Sequence, residues 1–253
     1  MTELLAPLFQ GPLEEYRGSL VLHDDPRPAI AADRLFTEPT LLQATQGFAR
    51  RFNNSDRRAV LSLWSKRYFT QLLMPCLSAN LILDRQLPLS LAEVAWVLAD
   101  DGLPVSLKLA NEGETCAAGT PAERFENLVR GHLQPAIEAL AHISGASAKV
   151  FWSNAGNVIE FILRSVARLP RPPLQAVADG EWLLTQTVWP DGWRNPLRDP
   201  IRYVAQGDGE AHRQRRLCCI AYLIPDTEYC GNCPLPAKGS RRHCAASSAN
   251  PKK

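Results

Sequence analysis

The run YFTQLLMPCLSANLIL, residues 68–83, carries no charged side chain, and any fold of this chain has to hide it from water. A membrane-spanning helix needs about 20 consecutive apolar residues. This run is shorter, and Gln71, Pro75, Ser78 and Asn80 interrupt it. We therefore read residues 57–84 as one buried helix, kinked near Pro75 because proline cannot donate to the preceding turn. The N-terminal stretch MTELLAPLFQGPLEEY has an acid where a secretory signal needs positive charge, and it lacks a clear apolar segment. The expectation is a cytoplasmic protein with no membrane span, a reading that leaves room for loose peripheral association with a membrane.

Other stretches carry recognisable local signals. Residues 28–52 read as a helix whose regularity Pro39 limits. EVAWVL (93–98) and VSLKLA (105–110) flank DDGLP and read as two strands joined by a short turn, with NEGETCAAG a loop beyond them. Thr120-Pro121-Ala122-Glu123 is a helix start, with Thr120 as cap, Pro121 in the first turn and Glu123 completing a capping box. Phe125, Leu128, Val129, Leu133, Ile137 and Leu140 follow at helical spacing up to a stop at Gly145. AKVFWSNAGNVIEFILRSVARL (148–169) reads as a short strand that turns at Ser153-Asn154 into a helix ended by Pro170, Pro172 and Pro173. A helix over about 174–188, the turn-rich WPDGWRNPLRDP and a hairpin, IRYVA-QGDG-EAHRQRRLCC, complete the pattern. The class expected is α+β. Residues 1–195 form a mostly helical substrate domain with a few strands, 196–236 a small C-terminal module, and 237–253 a basic, disordered tail.

That tail explains the overall charge. Of 28 basic side chains, Lys238, Arg241, Arg242, Lys252 and Lys253 lie in it with no acid beside them, while all 26 acids lie elsewhere. The body of the chain is thus slightly acidic, which argues against nucleic acid as a partner.

Four of the seven cysteines fall in RRLCCIAYLIPDTEYCGNCPL, residues 215–235. Adjacent Cys218 and Cys219 do not suit a disulfide with each other, because the small ring strains the peptide between them. In extended backbone their sulfurs point apart, so only a bend brings both to one centre. Cys230-Gly231-Asn232-Cys233 is a two-thiolate chelate. Four thiolates satisfy a [2Fe–2S] cluster, a structural zinc ion takes the same number, and a redox dithiol needs only the second pair. Spacing leaves these alternatives open. Cys76 reads as core, Cys116 as an incidental loop thiol and Cys244 as a spectator, and the histidines show no metal spacing.

The C-terminal block resembles that of the bacterial FhuF-type ferric siderophore reductases. The shared signature is Cys-Cys-x10-Cys-x2-Cys at Cys218, Cys219, Cys230 and Cys233, with Arg216, Tyr222, Pro225 and Gly231 in matching places. LWSKRYFTQLLMPCLSANLIL (63–83), VFWSNAGNVIEFIL (150–163) and Asn195-Pro196-Leu197 are similar to further blocks in the same order, so the likeness covers roughly 60–235. The resemblance implies that the four cysteines ligate a [2Fe–2S] cluster in a cytoplasmic protein that passes one electron to Fe3+ in a siderophore, typically a hydroxamate. A zinc-stabilised siderophore-binding protein without redox activity is the alternative, and a siderophore-biosynthetic relative is disfavoured because no nucleotide-binding motif is visible. No G-x-G-x-x-G, Walker loop or H-E-x-x-H occurs, so the electron is expected from an external donor, a ferredoxin-like protein or a flavin or NAD(P)H reductase.

Candidate substrate contacts are Trp152, Ser153, Asn154 and Arg216. The first three read as core and cap, with an aromatic wall and polar donors for the siderophore as the alternative. Asn157 is a weaker candidate. Arg213, Arg215 and Arg216 approach the cysteines, where they either form a solvated strand edge or raise a cluster's potential and attract an anionic partner. Arg216, which fits the shared block, is the one we single out.

Overall fold

The computed structural model describes residues 4–53, 55–116, 119–205 and 211–235. The turn QGDG, the tail 237–253 and Cys244 lie outside the described residues.

The central element is α4 (Arg57–Ile82), opened by Asp56, whose carboxylate accepts the Arg58 backbone N–H. Trp64, Tyr68, Phe69, Leu72, Leu73 and Leu77 along it are fully buried. The helix runs through Pro75, which lacks an N–H for the Gln71 carbonyl. Burial of each neighbouring large apolar side chain is worth about 1.5–3 kcal/mol, enough to offset that lost bond.

Four strands make the main sheet: β1 (Leu20–Leu22), β2 (Ile30–Ala31), β4 (Ala95–Leu98) and β5 (Pro104–Leu109), in the order β1-β5-β4-β2. The expected pair, β4 and β5, is antiparallel, and β1 joins β5 in parallel. Gly102, in the turn between them, has φ +83°, and a Cβ there would stand 1.8 Å from the Ala44 carbonyl oxygen. Its own carbonyl accepts Trp64 Nε1–H at 2.9 Å, which fastens the turn to α4. Within the segment expected to be loop, β6 (Glu114–Thr115) forms a two-residue ladder with β3 (Arg85–Gln86).

The single helix expected over 28–52 is instead three short ones, α1 (Ala32–Leu35), α2 (Glu38–Ala44) and α3 (Gln46–Arg50). Ile30 and Ala31 are drawn into the sheet against β4, and Pro39 occupies the first turn of a new helix rather than the interior of an old one.

Thr120 and Glu123 form the expected capping box at α5 (Pro121–Glu126). A π-helical stretch (Asn127–Leu133) connects it to α6 (Gln134–Ser144), which stops at Gly145. The wider turn carries His132 inward. Its Nδ1–H donates to the Leu89 carbonyl at 2.6 Å, so Nε2 accepts from Tyr68 Oη–H at 2.5 Å, and Tyr68 Oη accepts Trp96 Nε1–H at 3.2 Å. Burial pulls the His132 pKa down to about 4, which keeps the ring neutral as this chain of bonds requires.

Residues 148–153 are not a strand. Ser147 caps α7 (Ala148–Ala167) by accepting the Lys149 N–H, and Ser153 and Asn154 lie well inside the helix. The K-V-F-W alternation is too short to decide the matter. Phe151, Ala155, Ile159, Ile162 and Val166 recur at helical spacing, and α7 lies along α4. Next come α8 (Leu174–Thr185) and the hairpin β7 (Ile201–Val204) with β8 (His212–Arg215), paired Ile201 to Arg215 and Val204 to His212.

Gly156 lets α7 approach the loop before β7, since a Cβ there would meet the Pro200 Cβ at 2.8 Å. The proline ring cannot swing away, so Gly156→Ala should lower stability by about 1–3 kcal/mol in urea unfolding. An unchanged midpoint would show that this contact relaxes freely.

Candidate metal centre

β8 delivers the chain to the thiols between two clamps. Arg215 N–H donates to the Asn232 carbonyl at 2.9 Å, and Arg216 N–H to the Pro200 carbonyl at 3.0 Å. The Cys230–Cys233 turn is closed by Cys233 N–H to the Cys230 carbonyl at 3.0 Å, and Gln214 Nε2 donates to the Cys233 carbonyl at 3.1 Å. Asn157 of α7 holds this turn from the other side, its Oδ1 accepting from Asn232 Nδ2 at 2.7 Å and from Arg213 at 3.0 Å.

Directly after the adjacent cysteines the chain bends at Ile220, whose φ of 54° is unusual for a β-branched residue. The Ile220 N–H donates to Cys218 Sγ at 3.2 Å. Cys219 Sγ then lies 3.2 Å from Cys230 Sγ. Burial first, and then the neighbouring Cys233, push the Cys218 pKa up. Cys219 and Cys230 thus form one close pair, with Cys218 and Cys233 near them along the chain. Among the described residues no group of three or more His, Cys, Asp or Glu side chains is placed to hold a metal ion.

Two cations attend the sulfurs. Lys66, on α4, points its Nζ at Cys230 Sγ from 3.2 Å and at Cys219 Sγ from 4.0 Å. Arg215 is 1% exposed, and its charge acts on all four thiols. Burial lowers the Arg215 pKa, and the thiols oppose that shift. In the pair of Cys219 and Cys230, the Cys219 pKa is raised, first by the bond to Cys230 and then by burial. Cys230 is pulled down to about 5, first by that bond and further by Lys66 and Arg215.

Arg215 is in turn held from α7. Its Nη2 donates to Ser153 Oγ at 3.1 Å and to Asn154 Oδ1. Asn154, also 1% exposed, donates through Nδ2 to the Ser62 carbonyl at 3.0 Å and Ser65 Oγ at 2.9 Å. Ser62 Oγ donates to the Cys219 carbonyl at 2.7 Å. One polar chain therefore runs from α4 through α7 to β8 and back to the thiol segment.

Of the candidate substrate contacts, Trp152, Ser153 and Arg216 line a cavity of about 440 Å3 beside Leu217, whereas Asn154 is committed to the buried network. Arg213 is paired with Glu160 at 2.5 Å. The arginine whose charge acts on the sulfurs is Arg215, the middle one of the three. Sequence reasoning missed Lys66 and Ser62. Their signal is the i,i+4 spacing that sets both on one face of α4. Cys76 is core, and Cys116 is half-buried beside Asn80, away from the thiol pairs.

Soft thiolate donors in pairs, compensating cations and an N–H to sulfur are the donor set of an iron–sulfur cluster. This is an iron–sulfur oxidoreductase of the α+β class. Residues 62–211 match the family model described as ferric iron reductase FhuF-like transporter, and residues 215–235 match the FhuF 2Fe-2S C-terminal domain. The chain belongs to the FhuF family, and its cofactor is a [2Fe–2S] cluster rather than the zinc ion of the alternative reading. It is similar to a protein of Escherichia coli (strain K12) named ferric siderophore reductase, with 26% identity over 182 residues, 71% of this chain and 67% of that protein.

The buried network yields a direct test. Asn154→Leu leaves the Arg215 guanidinium without its carbonyl acceptor in a dry site, and should destabilise the protein by about 3 kcal/mol in chemical denaturation. A loss under about 1 kcal/mol would mean that water replaces Asn154.

Proposed function

We propose that the protein reduces Fe3+ in a hydroxamate-type siderophore and releases Fe2+ in the cytoplasm, with Cys218, Cys219, Cys230 and Cys233 as the cluster ligands. The observation that carries this reading is the contact of Cys219 with Cys230, attended by Lys66, in a thiol segment that adjoins through Leu217 the cavity of Trp152, Ser153 and Arg216. Among the described residues no helix is long and apolar enough to cross a membrane, which fits a reaction on the cytoplasmic side. In this reading residues 196–236 form the cluster module on a substrate domain of residues 1–195.

When bound, the cluster supplies one-electron transfer, at a potential that thiolate centres span from about −700 to +450 mV. Hydroxamate oxygens are hard donors that hold Fe3+ far better than Fe2+, so one electron frees the metal. The electron comes from an external ferredoxin-like protein or flavin or NAD(P)H reductase. No bond to carbon, nitrogen or phosphorus breaks, so no general base or nucleophile is required.

The side chains have separable roles. Lys66, Arg215 and the Ile220 N–H offset the negative charge gathered on the sulfurs, which favours the reduced state and raises the potential. Trp152 gives the siderophore an apolar wall, and Arg216 a charge at the rim of the cavity. Ser153 stands between the two regions, accepting from Arg215 and donating to the Leu217 carbonyl at 3.2 Å.

Cys230→Ser should lower cluster content, read as iron per chain and visible absorption, and abolish ferric-siderophore reduction, while Cys116→Ser should change neither. Full activity in the Cys230 variant would overturn the ligand assignment. Lys66→Met should lower the midpoint potential by about 50 mV, equivalent to roughly 1 kcal/mol from one charge-assisted bond. An unmoved potential in redox titration would remove Lys66 from the site.

A further inference from the structure

The cavity beside the thiols has a charge that the rest of the body does not share. Outside the tail the chain carries more acid than base, yet Lys149, Arg194, Arg198 and Arg216 all line this one concavity. Its only acid is Asp199, which Arg198 already holds at 3.5 Å. Lys149, Arg194 and Arg216 form no ion pair among the described residues. Gathering three uncompensated cations around one hollow is repulsive unless an anion enters it, and the low-dielectric walls focus their field.

Accepting the reductase reading above, we infer that this cavity selects ferric siderophores that carry net negative charge, such as hydroxamates bearing free carboxylates, over neutral or cationic ones. Three hydroxamates neutralise Fe3+, so a plain tris-hydroxamate complex gains nothing from Lys149, Arg194 and Arg216. A complex with pendant carboxylates pairs with them while its apolar body lies against Trp152. The concavity, of about 440 Å3, has the size of a small-molecule site rather than of a protein-docking face. Its wall at Leu217 precedes Cys218 by one residue, so a chelate held there is next to the thiol segment.

The test uses two ferric complexes with identical iron coordination: a linear tris-hydroxamate with a terminal ammonium, and the same molecule succinylated to end in a carboxylate. Binding to the oxidised holoprotein is followed by tryptophan quenching, and reduction separately by release of Fe2+ after the protein is reduced. The carboxylate form should bind about fivefold tighter or more at low salt, with the advantage shrinking at high salt. The double variant Lys149→Gln, Arg194→Gln, checked for an unaltered cluster spectrum, should bring the ratio towards one. A ratio of one or below in the unaltered protein, or a ratio that the double variant leaves intact, overturns the inference. If both complexes are reduced without preference, the inference falls and the reductase reading stands. If neither is reduced but the binding preference holds, charge selection stands and the reductase reading falls. Should the double variant slow electron delivery from an acidic ferredoxin and leave the siderophore ratio unchanged, the cations dock the donor and the inference is wrong.

Discussion

The guanidinium of Arg215 is a full charge placed where almost no water reaches it, and the surrounding structure is arranged around keeping it there. Burying such a charge without partners costs several kcal/mol. Ser153 and Asn154 accept from it, and the four thiols act on its charge. Because Asn154 is itself held by Ser62 and Ser65 of α4, the position of one cation ties together α4, α7, β8 and the cysteine segment. Nε has no partner among the described residues, so the group retains capacity to interact on that side. Thiolates ligating a metal would compensate a charge that the folded protein alone satisfies only in part.

A single stretch of α7 serves both sides of this arrangement. Asn154 turns inward to Arg215, Gly156 admits Pro200, Asn157 grips the Cys230–Cys233 turn, and Trp152 and Ser153 face the cavity. Helical geometry lets these residues, separated by at most five positions, point in several directions while sharing one rigid backbone. The cavity beside Leu217 and the thiol segment are therefore held in fixed register. Sites carried by helices keep their geometry better than sites carried by loops.

Local signals were readable where local physics decides the outcome. The apolar stretch 57–84, the capping box at Thr120 and the stop at Gly145 follow from spacing and end-group chemistry, and the structure has them at the expected places. The β4–β5 pair and the β7–β8 hairpin follow from alternation between turn residues. The readings that failed were those in which a distant partner overrides a local preference. Residues 28–52 break into short helices because β4 draws Ile30 and Ala31 into the sheet, and residues 148–153 are helical because α4 offers a face for their apolar side chains.

Taken alone, the sequence determined the thiol set, its iron–sulfur family signature and the helical character of most of the chain, because each is a property of residue type and of separations of a few positions. Which cations meet the sulfurs was decided by the tertiary structure. Arg213, Arg215 and Arg216 are nearly equivalent as letters, but strand alternation and the packing of α7 send the first to Glu160, the second to the thiols and the third to the cavity. Lys66, more than 150 positions from the cysteines, joins them only because α4 lies beneath the thiol segment. The positive cavity likewise draws Lys149, Arg194 and Arg216 from three separate stretches. Electrostatic interactions depend on distance in space and on the surrounding dielectric. Neither quantity is written in the order of the residues.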